Sequence, residues 1–504
     1  MRSTRNSGLV SWGIFLGVTL ILSVLVWTGW SIINRPNSTG GIGQSNTTVR
    51  IGVTDMPQSL NVRTTPNDAA ERLLLDNVVE TLLSVDQHNQ LQPALATRWT
   101  TSEDGLTTTL AIRKNVTFSN GHTLDAADVV ASLQQAVTNQ VADSDELGNL
   151  TSVTNPDSST VVITLSQPNP TLLRALSGRL GMVFDAEAND PTIGSGPFTV
   201  ADFQPGQSLT LHRNDAYYGS KAAAGTITVT QYADDAAVTQ ALSNGNIDMI
   251  APASATAAAS FADQSAFTVS KGDTTDKVLL AYNSDTDALP SDEQVRKALR
   301  YLIDAAGIAA SQPDSAGALG GPISPLETGY EDLTGLFPHD VNQAADMFGY
   351  FSPEFLPGVN LVVSEQYRAL AETIAQQIGQ VPRPQVNLEV LSQEDYDKRI
   401  QDGDWELTII SMSGSDGLES FANPTSMFHY NNAQAQALYA QAQASTNEED
   451  YAKNIAAYAR AVSEDAASDW LYTKACFTVA STSVSGYPTA LIDQRMPLAG
   501  VTKS

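Results

Sequence analysis

Residues 8–33 (GLVSWGIFLGVTLILSVLVWTGWSII) run for 26 positions without a charge. A helix crosses the hydrocarbon core of a bilayer with about 20 apolar residues, so this run is long enough to span one. Trp12 lies near one end and Trp27 and Trp30 near the other, where indole rings favour the lipid–water boundary. Arg2 and Arg5 precede the run and bias the N-terminus towards the cytoplasm. A cleaved signal peptide has a shorter apolar core, about 7–15 residues, ending in small residues. Here bulky Trp27 and Trp30 occupy the exit, and no cysteine follows for lipid attachment. The expectation is a cytoplasmic tail over 1–7, one uncleaved transmembrane helix over 8–33, and a tether over 34–48. The tether is rich in Gly, Ser, Asn and Thr, a flexible composition. The rest of the chain then lies on the extracytoplasmic side of a cell membrane.

That body is acidic. The 504 residues hold 27 Lys+Arg against 55 Asp+Glu, and Arg2, Arg5 and Arg35 are the only charges among the first 35. Phosphate backbones are bound by Lys and Arg that displace counterions, so nucleic acid is not an expected partner. A single cysteine, Cys476, rules out an intrachain disulfide, a CxxC redox pair and multi-cysteine metal sites. It lies in the apolar run ACFTVA and reads as a buried thiol. The five histidines are at least 34 residues apart, which gives no local metal-ligand spacing. No GxSxG elbow, phosphate loop or GxGxxG fingerprint occurs. No catalytic residue, metal or cofactor is therefore expected.

Short alternating runs mix with helical ones from Val49 onward. Leu110 and Ile112 in TTTLAIRK, and Val161, Ile163 and Leu165 in TVVITLSQ, predict half-buried strands. Leu74, Val78 and Leu82 predict a helix over 69–83. Ser291 and Gln294 form a capping-box pattern before Val295, Leu299 and Leu302. One unit occurs twice: AVTQALSNGNIDMI (237–250) and YDKRIQDGDWELTII (396–410). Each reads as helix, glycine and apolar strand, with Gly245 and Gly403 in the left-handed conformation that ends a helix. The pair suggests two α/β lobes divided near residues 270–285, with a ligand cleft between them.

The stretch 91–137 resembles the signature region of the extracellular solute-binding proteins of the peptide/nickel class, family 5, which serve ABC importers. The resemblance rests on Leu91, Pro93, Leu95, Ala96, Trp99, Asp104-Gly105, Arg113, Phe118-Ser119-Asn120-Gly121 and Ala127-Asp128-Val129. Gly194-Ser195-Gly196-Pro197-Phe198, Arg213-Asn214 with Tyr217-Tyr218, and Tyr282-Asn283 before Val295 to Leu299 follow in the family's order. It covers roughly residues 49–490.

This resemblance implies an α/β, two-lobed, periplasmic-binding-protein-like clamp with a hinge of two crossing strands. Lobe one would hold 49–272 and 479–504, and lobe two 273–478. It implies a monomeric receptor that binds peptides and passes them to ABC permease subunits with cytoplasmic ATPases. Peptide-binding members place Gly-Trp and then an ammonium-binding Asp after the strand that begins here at Trp405-Glu406-Leu407. In this chain Met412 stands at the tryptophan position, Ser415 at the ungapped Asp position and Asp416 one residue on. The implied substrate-binding residues are Met412, Ser413, Ser415 and Asp416, with Tyr282 and Asn283 on the hinge strand. Other members take nickel chelates, oligosaccharides, glutathione or haem, and those ligands stay open. A surface-anchored enzyme or adhesion module on the same fold is the alternative of another class.

Overall fold

The computed structural model describes residues 47–504 except 64–66, 140, 142–143, 148, 357, 415–416 and 493–494. The anchor at 8–33 and all but the end of the tether lie outside the described residues. No helix among the described residues is long and apolar enough to cross a membrane.

Fifteen strands carry the architecture. They are β1 Thr48–Val53, β2 Ala96–Thr101, β3 Thr107–Ile112, β4 Leu150–Asp157, β5 Thr160–Leu165, β6 Phe198–Gln204, β7 Ser208–Arg213 and β8 Thr226–Gln231. Then follow β9 Met249–Ala253, β10 Phe267–Tyr282, β11 Ser315–Ala318, β12 Val359–Ser364, β13 Val386–Leu391, β14 Leu407–Met412 and β15 Ser468–Ser481. One sheet runs β6-β7-β8-β1-β9-β15-β10-β14-β12-β13, with β11 pairing β15. A separate sheet runs β2-β3-β5-β4. The strands expected from alternation are β3 and β5, and Leu110, Ile112, Val161, Ile163 and Leu165 are all buried.

The duplicated unit is a helix, a glycine and a strand in both copies. Asp235–Ser243 leads through Gly245 (φ +70°) into β9, and Gln393–Gln401 leads through Gly403 (φ +71°) into β14. The strand preceding each helix, β8 or β13, does not pair with the strand following it. β1 lies between β8 and β9, and β12 lies between β13 and β14, all parallel. The two halves of the sheet thus share one topology.

β10 and β15 join the halves. They pair antiparallel from Phe267–Ser481 to Ala281–Ser468, with a register shift where Asp273 to Lys277 faces Ala475 to Thr473. Three hydrophobic clusters draw only on residues 49–269 and 475–501. Two others draw only on 278–472. The irregular turn of the strand pair is therefore also where the packed cores part.

Two local expectations are corrected. The helix expected over 69–83 spans only Asp68–Leu74, and Asp76 takes φ +61°. Asn77 redirects the chain: its Nδ2 donates to the Leu73 and Met496 carbonyls, and its Oδ1 accepts from Leu498 N. Val78 and Leu82 stay buried, but as an irregular segment stitched to the C-terminal residues. The helix Glu293–Leu302 is capped by Asp292, which accepts from Gln294 N and Val295 N. Ser291 sits one residue too early because it closes a tight turn at Leu289–Ser291.

Two separated motif segments meet at one carboxylate. Glu80, 6% exposed, accepts from Ser195 Oγ at 2.7 Å, Tyr217 Oη at 2.9 Å and Tyr218 Oη at 2.7 Å. Burial pushes its pKa up, and the three hydroxyls oppose that shift.

Candidate binding cleft

Strand register locates the site. β9 pairs with β15 through Met249–Ala480, Ile250–Val479 and Ala253–Phe477, so its carboxyl end runs towards the register shift. β14 pairs with β10 from Leu407–Tyr282 to Met412–Lys277, so its carboxyl end reaches the shift from the other side. With their parallel neighbours, the strand ends Val53, Gln231 and Ala253 face Ser364, Leu391 and Met412 across the crossover. Open α/β sheets bind ligands in the crevice outside the carboxyl ends of parallel strands. Here two such crevices face each other.

On the first side is a recess of about 590 Å³. It is lined by Asp55, Met56, Pro57 and Gln58 after β1, by Asn67, Asp68 and Ala69 where the next helix begins, and by Gln231 ending β8. Arg72, half-buried on that helix, has its guanidinium pushed down by burial; Asp55, Asp68 and, from the crossover, Asp276 oppose the shift. On the second side burial pushes the Tyr367 phenol up to about 12, with Tyr396, Asp314 and Asp276 adding to the shift. Arg72 on the first side and Tyr367 on the second therefore both lie within electrostatic reach of Asp276.

At the crossover Lys277 is 3% exposed. Its Nζ donates to Glu327 Oε2 at 2.6 Å and to the Gly414 carbonyl. Glu327 Oε2 also accepts from Ser324 N at 2.8 Å. A buried lysine is tolerated when its charge is paired and its protons are accepted. This one ties β10, the turn at 324–327 and the loop after β14 together.

The expected site residues do not all converge. Met412 is half-buried at the end of β14, opposite Lys277. A Cβ on Gly417 would lie 2.2 Å from Met412 Cε, so the loop folds back over the thioether and a side chain there would require the Met412 side chain to move. Ser413 is exposed at the loop's start. Ser415 and Asp416 lie outside the described residues. Tyr282 and Asn283 stand at the far end of the same strand pair. Tyr282 is five positions from Lys277, about 17 Å at about 3.4 Å per residue. Tyr282 is fully buried in the core of the second half. Asn283 Nδ2 donates to the Trp405 carbonyl at 2.9 Å, and its Oδ1 accepts from Asp285 N at 3.0 Å. These two residues pack a core and a turn. The residues around the cleft missed from sequence are Lys277, Glu327 and Arg72. Lys277 had a signal: it is the only base between Lys271 and Arg296 and opens the apolar run VLLAY.

Two α/β halves joined by a pair of long strands, with facing crevices between them, define a two-lobed binding protein. A sequence profile of the bacterial extracellular solute-binding proteins, family 5 (middle region), matches residues 90–436, and the chain belongs to this family, whose members serve ABC importers. Heme-binding protein A of Haemophilus influenzae is 25% identical over 417 residues, 72% of this chain and 75% of that protein. Probable di/tripeptide-binding protein 5 of Pseudomonas aeruginosa is 24% identical over 396 residues, 71% of this chain and 74% of that protein. The ABC transporter substrate binding protein CtaP of Listeria monocytogenes has a TM-score of 0.81 at 16% identity, over 91% of this chain and 99% of that one. At that identity the structural likeness speaks for the fold.

Proposed function

We propose that the chain is a membrane-anchored, non-catalytic receptor that encloses peptides between its lobes and delivers them to an ABC import permease. Lobe one is taken as 49–272 with 479–504, and lobe two as 273–478. The observation that carries this reading is the facing of six parallel strand ends across one crossover. That arrangement gives an extended ligand two backbone-lined walls and a common floor, and backbone pairing is indifferent to side-chain identity. Asp416 is taken as the partner of the peptide's α-ammonium, two residues beyond the carbonyl that Lys277 holds. The test is mass spectrometry of ligand carried through purification, followed by calorimetry with free and N-acetylated peptide. Asp416→Asn should weaken free peptide at least about tenfold, or about 1.4 kcal/mol, and weaken the acetylated form much less. Equal losses for both would remove Asp416 from the ammonium site. Haem is the second reading, favoured by the relative named for it. A Soret band in the purified protein, with no co-purifying peptide, would select it.

A further inference from the structure

We propose that the turn Ser324–Glu327 is a receptor for a protonated amine on the ligand, with Glu327 Oε1 and Ser324 Oγ as the acceptors. The inference rests on the peptide-receptor reading. Glu327's side chain is 9% exposed and Ser324 is fully buried. Glu327 Oε1 and Ser324 Oγ are both buried without a hydrogen-bond partner among the described residues. The turn itself is closed by Glu327 N donating to the Ser324 carbonyl at 2.9 Å. Ser324 N and Lys277 Nζ fix the other carboxylate oxygen, so Oε1 is held in place with its lone pairs unused. An acceptor left unmatched in a buried position is costly, and a ligand donor would remove that cost.

The chemistry selects a cation. Lys277 and Glu327 offset each other, so an anionic group would meet an unshielded carboxylate oxygen, whereas an ammonium would meet an acceptor and a hydroxyl. An ammonium has three protons to donate. Two are accounted for by this turn, and the third is available to the loop that Lys277 holds through Gly414. The turn also stands where the two halves touch. Leu326 O accepts from Asn89 Nδ2 at 3.0 Å across the lobes, and Tyr451 lies within electrostatic reach of both Glu327 and Arg174.

The experiment uses the full chain in detergent, a pool of random tripeptides and the same pool N-acetylated, read by the concentration needed to raise the melting temperature. For the wild type, acetylation should weaken the response at least about tenfold. Glu327→Gln should reduce that discrimination by weakening the free pool alone, and the part that persists should be lost with Asp416→Asn. Because that variant strands Lys277, the pair is also replaced whole, Lys277→Met with Glu327→Met, since apolar replacement of a buried ion pair preserves folding better than breaking it. Ser324→Ala leaves the pair intact and should cost the free pool more than the acetylated one. If acetylation still weakens the double variant about tenfold, the amine is recognised elsewhere and the proposal falls while the peptide reading stands. Equal response of the wild type to both pools also overturns it, and is the result expected if the two atoms merely hold an ordered water. If neither pool shifts the wild type, the peptide reading itself falls and takes this inference with it.

Discussion

Asp469 on β15 lies 3.4 Å from Arg300 Nε, with both side chains almost wholly buried. Its Oδ2 and the Arg300 Nε make no hydrogen bond, so the attraction does not repay burial, and the carboxyl is pushed up to about 7. Raised in the folded state, it stabilises most below its unfolded value near 4, and that contribution is lost as pH rises through about 7. A shift of about three units corresponds to on the order of 4 kcal/mol. Wild-type stability should therefore fall more than that of Asp469→Asn between pH 4 and pH 8, read as the difference between their urea unfolding free energies. A constant difference across that range would show that Asp469 does not titrate there. The same scale explains what the sequence left hidden. Ser195, Tyr217 and Tyr218 were legible as motif residues, but their shared acceptor Glu80 is more than a hundred residues away in the chain. Nothing in the spacing of those motifs points to it.

Among the elements, β10 and β15 are the joint, and Gly272 marks its first-lobe end. A Cβ there would lie 1.7 Å from the Thr489 carbonyl oxygen, and Gly272 is paired with Cys476, whose Sγ donates to that same oxygen at 3.4 Å. Gly272→Ala should displace the segment around Thr489 and cost about 1–3 kcal/mol, the usual range for overpacking. Urea unfolding gives the loss, and limited proteolysis near Thr489 should quicken; unchanged stability would mean the C-terminal segment yields freely. Elements with local causes were legible. Alternation marked β3 and β5, and glycines ended the two helices before β9 and β14. The helix over 69–83 failed at Asp76–Asn77 because residues 496–498, four hundred positions away, bind Asn77 from outside. The crossover is narrowed by something sequence does not display. The duplicated unit put the division near residues 270–285, and cross-strand register, which no single strand displays, puts the irregular joint at residues 273–277 within that range.

At the scale of the whole molecule, the anchor and the clamp make separate predictions. The charge-free run at 8–33 predicts that the protein stays in the membrane fraction through alkaline extraction and keeps its own N-terminus. A mature N-terminus within residues 30–50 would instead identify a cleaved leader.

Closure on ligand, as the proposed function requires, would balance ligand contacts against the direct bonds that bridge the lobes. Asn89 carries one of these. Its backbone is left-handed, φ +58°, and its side chain is buried. Asparagine tolerates that conformation better than most residues. Arg174 Nη1 and Nη2 donate to Asn89 Oδ1 and O at 2.5 and 2.7 Å, which leaves Nδ2 aimed at Leu326 O on the second lobe. Asn89→Gly keeps the backbone conformation and removes the clasp together with the Oδ1 acceptor of Arg174 Nη1, a bond within the first lobe that leaves the balance between open and closed states to the clasp. A single hydrogen bond is worth about 0.5–1.5 kcal/mol, so the closed state should lose about 2- to 13-fold in population relative to the open one. With closure after encounter, ligand release should quicken by that factor while the association rate is unchanged. Small-angle scattering should show a smaller radius of gyration at saturating ligand for the wild type. For Asn89→Gly the same contraction should need more ligand. An equal radius with and without ligand would mean that the lobes do not close on binding, and the clasp would then be a fixed contact with no part in release.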